Sequence, residues 1–420
     1  MIMPQQTPTQ APVALVLGGT IPHKHLIDNL KRRGFNVILI DYHENPPAKE
    51  VANRHIREST LDKEKALEIA RHTGASLVIS GCVDQANVTA CYVSEEIGLR
   101  APYTYANAIR CTDKSLMKKG FVHAGVPSSE YEVIARGKPF TGSPFAYPVV
   151  VKPSDSNGSK GVRIARSDVE LEGYIWDARK ISRSGDVVVE SFNDGDEVSI
   201  QYIVRKDEVL EILTMARIKP ADPRYALQAF QILSPARISD LARKKLKEYG
   251  RLICREFGIN NSPFLLQANV AGDDVKIIEF APRVGGGLAF RLAQEVVNYD
   301  LIDAAVKSCL GETIPEAGAM SERAYEYLIL SLYATGGVLD HVEGFSDMVE
   351  DGTIEELHMY KTPGALMGGD LSSSNRVMGV ILRGCDRDEL NRKMMRVVWN
   401  GRIVSRDNGD CTNREVVNLI

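Results

Sequence analysis

Pro148-Val149-Val150-Val151-Lys152-Pro153-Ser154-Asp155-Ser156-Asn157-Gly158-Ser159-Lys160-Gly161 is a β-rich run that leads directly into a polar loop of small residues flanked by two lysines. Small residues let a backbone close over phosphates and donate N–H groups, and a lysine at the strand end adds a point charge for anionic oxygens. The stretch is not a Walker A sequence, because G-x-x-x-x-G-K-[ST] occurs nowhere in the chain. Taken alone, it reads equally as a phosphate cradle or as a lysine-bearing surface loop.

Upstream, Val13 to Leu17 is an apolar run ending in Gly18-Gly19-Thr20, followed by a helical stretch to Arg33 and a second run, Asn36 to Ile40, ending at Asp41. This pattern predicts βαβ. A helix from Asp62 to His72, a strand from Ser76 to Ser80 and a helix from Gln85 to Ile97 extend it to a parallel sheet with helices over about the first hundred residues. Gly18-Gly19-Thr20 with Asp41 superficially matches a dinucleotide fingerprint, but G-x-G-x-x-G is absent. A tight βα turn and a small anionic ligand at the helix N-terminus both remain open there.

Downstream of the loop, the pattern changes to α+β. Helices are predicted for Lys114 to Gly125, Asp168 to Lys180, Ser239 to Phe257 (with Leu241, Leu246, Leu252 and Ile253 as its apolar positions) and Leu288 to Val297. Asp186 to Phe192 reads as a strand, and Glu197 to Arg205 with Glu208 to Ala216 reads as a hairpin. A second hairpin joins Phe264 to Val270 with Val275 to Phe280 across Ala271-Gly272-Asp273-Asp274. From Ala324 onward, short strands and turns suggest a small terminal α+β domain.

The chain has 420 residues, enough for two or three domains. With 51 Lys+Arg against 55 Asp+Glu, 44% hydrophobic and 25% charged residues, it has the composition of a globular protein, excluding disorder, collagen and coiled coil. A near-neutral balance lacks the positive field that nucleic-acid binders use, so no nucleic acid partner is expected. No uncharged apolar run approaches about 18 residues, and the first dozen residues read as a frayed end without a signal sequence, so no membrane partner is expected either. The seven cysteines are scattered without C-x-x-C pairs or zinc-type clusters, which fits a reducing cytoplasm. The eight histidines show no ligand spacing, and serine-nucleophile motifs are missing.

Three carboxylates, Glu190, Glu197 and Glu279, sit in or beside β-rich runs, where a lone charge is costly unless paired or ligated. Any one of them also reads as an exposed strand residue. Glu279 followed by Arg283 and Gly285-Gly286-Gly287 is more telling. A carboxylate for a hard cation and a guanidinium for a phosphoryl group, side by side at a strand end, suit phosphoryl transfer.

The order of these signals is specific. Thr112-Asp113-Lys114 opens a helix, Pro148 to Pro153 precedes the Ser/Gly loop, and Val189-Glu190-Ser191-Phe192 is followed by Gly195-Asp196-Glu197-Val198-Ser199. Ile278-Glu279-Phe280-Ala281-Pro282-Arg283 then runs into the glycines. Over about Ala11 to Gly311 this series resembles the ATP-grasp superfamily, and within it the carboxylate–amine ligases, L-amino acid ligases included, and the biotin carboxylase and carbamoyl-phosphate synthase branch.

The resemblance implies an α/β and α+β fold: an N-terminal Rossmann-like domain (1–105), a small lid subdomain with its linker helix (106–185), a large subdomain (186–315) and a small C-terminal α+β domain (316–420). It implies ATP and Mg²⁺. Lys114 and Lys152 would hold the nucleotide phosphates, beneath a loop that includes Ser156, Asn157, Gly158, Ser159 and Gly161. Glu190, Ser191 and Phe192 would form the adenine hinge, and Glu197 would accept from the ribose hydroxyls. Glu279 and Gln267 would face the metal. Arg283 would stabilise the phosphoryl group and the tetrahedral intermediate, with Gly286, Gly287 and Arg291 beside the acceptor substrate. A homodimer is common in the family.

Two positions depart from the family pattern. Gln267 stands where a Glu is usual, and Ala281 stands where an Asn is usual. Asn269 lies two residues past Gln267, hence on the same strand face. The implied activity is ATP-dependent joining of a small-molecule carboxylate to an amine, with an amino acid on at least one side. Two other readings remain. One is bicarbonate-dependent carboxylation of the biotin carboxylase or purine-pathway type; the other is a nucleotide-binding regulatory protein whose metal site is degenerate.

Overall fold

The computed structural model describes residues 11–220, 229–316, 325–369, 372–407, 409–415, 417 and 420. Most of the first dozen residues, expected from the sequence to be frayed, lies outside them. Helices and sheets are mixed throughout, as expected of an ATP-grasp fold.

The N-terminal strands pair in parallel in the order Arg54–Ile56, Asn36–Ile40, Val13–Leu17 and Ala75–Ile79. Strands Val13–Leu17, Asn36–Ile40 and Ala75–Ile79 send apolar side chains to both faces because helices cover both sides, whereas the edge strand Arg54–Ile56 does not. Asp41 carries the sheet's first turn: its Oδ2 accepts the Gly19 N–H at 2.7 Å and its Oδ1 accepts that of His43 at 2.8 Å. The tight-turn reading of Gly18-Gly19 therefore has its physical basis in this carboxylate.

A second sheet is antiparallel, in the order Tyr131–Ile134, Val187–Ser191, Val149–Pro153 and Arg163–Ala165. Helix Asp168–Ile181 covers one of its faces through Leu171 and Ile175, which pack on Val149, Val151, Val187 and Val189. Ser167 caps this helix by accepting the Glu170 N–H.

The largest sheet has eight strands, Asp274–Ala281, Ser262–Ala271, Asp196–Arg205, Glu208–Ile218, Gln231–Ser234, Glu326–Leu332, Met378–Gly384 and Glu356–Met359 in spatial order. Strands from the stretch beyond residue 316 thus continue the sheet begun before it, with Gln231 opposite Leu330 at the junction. On one face, helices Lys114–His123 and Asp240–Glu256 bury Phe121, Leu246, Ile253 and Phe257 against Phe264 and Phe280. Leu241 is not among the apolar contacts expected of the second helix. It is 48% exposed, because Ala242 and Leu246 set the buried stripe. Helices Ala289–Val297 and Leu301–Leu310 fill the opposite face and join it to the N-terminal sheet.

The C-terminal strands are also fixed by charge. Arg291 donates from Nε and Nη2 to the two oxygens of Glu356 at 2.9 and 2.8 Å, and the His358 ring nitrogen lies 2.8 Å from the same carboxylate. Burial pushes the Glu356 carboxyl up, but the hydrogen bonds from His358 and Arg291 outweigh it and bring it down to about 2. The depressed value means that the contribution is complete above about pH 4.5 and is lost as the pH falls towards 2. Glu356→Gln should therefore lower stability at neutral pH by about 1 kcal/mol, a figure kept small for a partly exposed pair. In urea unfolding at a series of pH values, the gap to wild type should narrow below about pH 4.5. A gap that stays constant to the acid edge of the folded range would remove Glu356 from the tie.

Candidate active site

The small sheet, the start of helix Lys114–His123 and one edge of the large sheet converge on a single cleft. Asp113 caps the helix by accepting the N–H groups of Ser115 and Leu116 at 2.8 and 3.1 Å, which places Lys114 at its first position. The Lys114 backbone N–H donates to Ser154 O at 2.8 Å, and its Nζ donates to Ser156 O. The expected phosphate lysine and the Ser/Gly loop are thus in contact. Within the loop, Gly158, Ser159 and Gly161 adopt left-handed φ of 59°, 58° and 77°. A Cβ on Gly158 would come 2.5 Å from Ser373 Oγ, so glycine there lets the loop lie against the C-terminal part of the chain. Asp155 roots the loop by accepting the N–H groups of Arg183 and Ser184 at 2.9 and 3.0 Å.

Lys152, on strand Val149–Pro153, donates to Glu190 Oε2 at 2.9 Å, and Lys118 Nζ lies 3.3 Å from the same oxygen. Burial pushes the Glu190 carboxyl up and the Lys118 ammonium down. The charges of Lys152 and Lys118 more than offset the first effect, holding Glu190 below the usual carboxylate range, whereas Lys118 stays below the usual lysine range. Lys118 is a residue that the sequence reading missed. The available signal was its i,i+4 spacing from Lys114, which stacks the two on one helix face. Of the expected hinge, the Ser191 N–H is already bonded to Glu130 O at 2.9 Å, and Phe192 is 38% exposed. The Glu197 carboxylate is held by Arg217 and Lys219 from the paired strand and its extension. Burial pushes it up, and those two cations bring it below its ordinary value.

Register then defines a polar face on the large sheet. Gln267 pairs with Glu279 on one side and Ser199 on the other, and Asn269 pairs with Glu197. Directly opposed residues share a face. The alternate positions Val198, Ile200, Leu266, Ala268 and Phe280 point into the core. Gln201, next along the polar face, leaves its buried Oε1 without a partner, and its Nε2 would lie 3.1 Å from a Cβ on Gly285. Glu279 feels Lys118 and Arg283 only at longer range. These donors, one carboxylate with nearby amide oxygens, fit a hard divalent cation that draws its remaining ligands from nucleotide phosphates and water. Among the described residues, no cluster of three or more His, Cys, Asp or Glu offers a self-sufficient metal cage.

Arg283, just past the strand that carries Glu279, donates from Nε and Nη2 to Asp84 Oδ1 and Oδ2, both at 2.6 Å, and from Nη1 to Val284 O at 2.8 Å. Asp84 opens helix Asp84–Glu96 in the N-terminal domain and was invisible as a partner in the sequence. The following turn lies against the same domain. Val284 N donates to Gly81 O at 3.1 Å, and a Cβ on Gly286 would come 3.5 Å from Cys82 O. Behind that turn, Cys82 packs 3.3 Å from His23; burial pushes the thiol up to about 12 and the imidazole down to about 3, so both are neutral. Arg291, expected beside the acceptor, is instead committed to Glu356.

Comparisons with known proteins bear on the fold and on the ATP-binding region. Residues 122–317 match the family model described as "Carbamoyl-phosphate synthase L chain, ATP binding domain". The chain is 25% identical over 389 residues to a formate-dependent phosphoribosylglycinamide formyltransferase of Mannheimia haemolytica, covering 91% of this chain and 93% of the relative. Among solved structures, it is similar to an L-amino acid ligase from Bacillus licheniformis, with a TM-score of 0.76 at 16% identity over 95% of this chain and 100% of the other. The biotin carboxylase domain of the Hydrogenobacter thermophilus 2-oxoglutarate carboxylase gives a TM-score of 0.73 at 17% identity, covering 96% and 92%. Residues 122–317 thus match an ATP-binding domain of the carbamoyl-phosphate synthase type, and the chain as a whole has the fold of the ATP-grasp ligases.

Proposed function

We propose that this protein forms an amide from a carboxylate and an amine, with an amino acid on at least one side, through an acyl phosphate and with release of ADP and phosphate. The observation that carries this reading is the continuous line of charge along the cleft. Lys118 and Lys152 both stand on Glu190, Glu279 pairs in register with Gln267, and Arg283 follows four residues after Glu279 and holds Asp84. The line runs from the lysines beside the loop to the glycine turn at the strand end.

In this reading, Lys114, Lys152 and the backbone of Ser156 to Gly161 bind and orient the nucleotide phosphates. Glu279 and Gln267 would hold Mg²⁺, which supplies positive charge for those phosphates when bound. The substrate carboxylate attacks the γ-phosphorus, the bond to the ADP oxygen breaks, and ADP leaves. The amine then adds to the acyl carbon, the C–O bond to phosphate breaks, and phosphate departs. Arg283 sits where charge develops in both steps, and Asp84 fixes its plane. Gly286 and Gly287 leave room for the acceptor. Arg291 acts at one remove, by holding strand Glu356–Met359 to helix Ala289–Val297. Positioning and charge, with little covalent participation by the protein, are what phosphoryl transfer requires.

The test is incubation of the purified protein with ATP, Mg²⁺ and amino acids, singly and in pairs, with and without bicarbonate, followed by chromatography of the nucleotides. ADP that appears only with particular pairs supports the ligase and names its substrates. ADP with bicarbonate alone assigns the carboxylation chemistry instead. Magnesium-dependent nucleotide binding without ADP from any mixture favours the regulatory reading that Gln267 keeps open.

Two substitutions extend the test. Arg283→Ala should reduce kcat by about 10²-fold or more, by analogy with loss of an oxyanion donor; unchanged turnover would remove Arg283 from the chemistry. Gln267→Glu adds a second carboxylate to the polar face and should lower the Mg²⁺ concentration needed for half-maximal ADP release. An unaltered Mg²⁺ dependence would place the cation elsewhere.

A further inference from the structure

Away from the cleft, a cavity of about 370 Å³ opens where the turn between strands Asp196–Arg205 and Glu208–Ile218 meets the end of helix Asp240–Glu256. A volume of this order suits a small molecule. Val204 and Ile259 form a buried apolar floor, and Lys206, Asp207, Arg251 and Arg255 stand around it. Val204 belongs to the alternate set with Val198, Ile200 and Tyr202, which faces the covering helices. The cavity therefore lies on the side of the large sheet opposite Glu197, and at about 3.3 Å per residue it is about 23 Å along the strand from that carboxylate.

The charge around the cavity is lopsided, with three cations against one carboxylate. Arg251 is answered by Glu248, to which its Nε donates at 2.8 Å. Lys206 and Arg255 have no ion pair among the described residues. Arg255 stands in the last turn of its helix, where the dipole favours a cation whatever its surroundings. Lys206 has no such local reason. Arg205 pairs with Glu208, so Lys206 and Asp207 are the two central residues of the turn, and Lys206 takes a left-handed φ of 54°. Glycine or asparagine adopts that conformation more readily. The lysine thus sits in the cavity wall against a backbone preference, which is the kind of local conflict that marks binding sites.

The wall is also connected to the cleft by direct packing. Phe257, two residues after Arg255, is fully buried, and a Cβ on Gly120 of helix Lys114–His123 would collide with its ring. The same ring lies 4.7 Å from that of Phe280, which follows Glu279 on strand Asp274–Ala281. A shift of residues 255–259 is therefore passed to the helix that carries Lys114 and Lys118 and to the strand that carries Glu279.

We propose that this cavity is a second ligand site, for a compact oxyanion of a phosphate ester or a carboxylate, held by Lys206 and Arg255 with Arg251 beside them, and that its occupancy changes nucleotide affinity through Phe257. Asp207 opposes the anion and limits how tightly it binds. The site lies outside the chemistry of the cleft, and neither half of the inference requires turnover.

The experiment uses the full chain with Mg²⁺ and a saturating non-hydrolysable ATP analogue, so that the nucleotide's own phosphate positions are filled. Inorganic phosphate and acetate are titrated separately by calorimetry. Wild type should bind at least one, and the preferred anion identifies the source as a phosphate ester or a carboxylate. Arg255→Met should weaken that binding several-fold, and Asp207→Asn should strengthen it, both effects shrinking as salt is added. Lys206→Gly removes the ammonium and the backbone strain together. It should also weaken binding several-fold while melting at or above the wild-type midpoint, which separates lost binding from misfolding. The dissociation constant of the analogue, measured with and without the preferred anion, should shift at least about twofold in wild type and stay unchanged in Lys206→Gly, as reciprocal coupling requires; competition at the nucleotide site would shift both alike. No saturable binding by wild type, or binding by Lys206→Gly and Arg255→Met equal to wild type, overturns the site. Binding that leaves the analogue's affinity unaltered, or that shifts it equally in Lys206→Gly, overturns the coupling through Phe257.

Discussion

The pair formed by Arg283 and Asp84 is the joint on which the cleft depends. Two parallel hydrogen bonds of 2.6 Å connect the end of a strand in the large sheet to the first turn of a helix on the N-terminal sheet. Both groups are largely removed from water, so the pair is held by its geometry as much as by its charge. The position of Glu279 four residues earlier, the seating of Val284 on Gly81 and the course of the glycine turn follow from it. A guanidinium already satisfied in this way needs no reorganisation to meet a developing negative charge, because its plane is set before any ligand arrives.

Charge is distributed unevenly among the three strand carboxylates, and that unevenness gives the cleft a direction. Glu190 is flanked by two ammonium groups and Glu197 by a guanidinium and an ammonium, so each forms a local network with excess positive charge. Glu279 has only distant positive neighbours. The cleft therefore offers surplus cationic character beside the loop and a carboxylate open to a cation at the strand edge. This is the order in which a magnesium-bound polyphosphate presents its own charges.

Much of the fold was legible because its strands and helices are written in local periodicity. The βαβ start, the two long hairpins and the helices that cover them were all read within a few residues of their observed ends. The residues expected at the nucleotide site were read from the order of short motifs, each weak alone. The missing information was of a different kind. Asp84 meets Arg283 across 199 positions of chain, and Glu356 meets Arg291 across 65. No local pattern encodes such a partner. Lys118 was hidden in an ordinary basic helix until burial distinguished it from Lys119, and the chain beyond residue 316 has short strands that carried little periodic signal. The same weakness concealed the fact that strands beyond residue 316 extend the large sheet, as edge pairing depends on tertiary contacts more than on local composition.

The continuity of that sheet constrains which part of the molecule can move. The eight strands form one hydrogen-bonded ladder from Asp274–Ala281 to Glu356–Met359, so the C-terminal strands cannot swing aside without breaking backbone bonds. The sheet spanning Tyr131 to Ser191 shares no ladder with it. The chain enters that sheet past Ser128, which bridges to Ile277, and returns through Asn193, which is bonded to Ser129 and accepts from Lys276 at 2.9 Å. The two crossings lie side by side. The sheet that carries Lys152, Glu190 and the Ser/Gly loop is thus tethered to the body by two adjacent strands of chain, and its remaining ties are side-chain and loop contacts, Lys118 to Glu190 and Lys114 to Ser154 and Ser156, in place of a shared ladder.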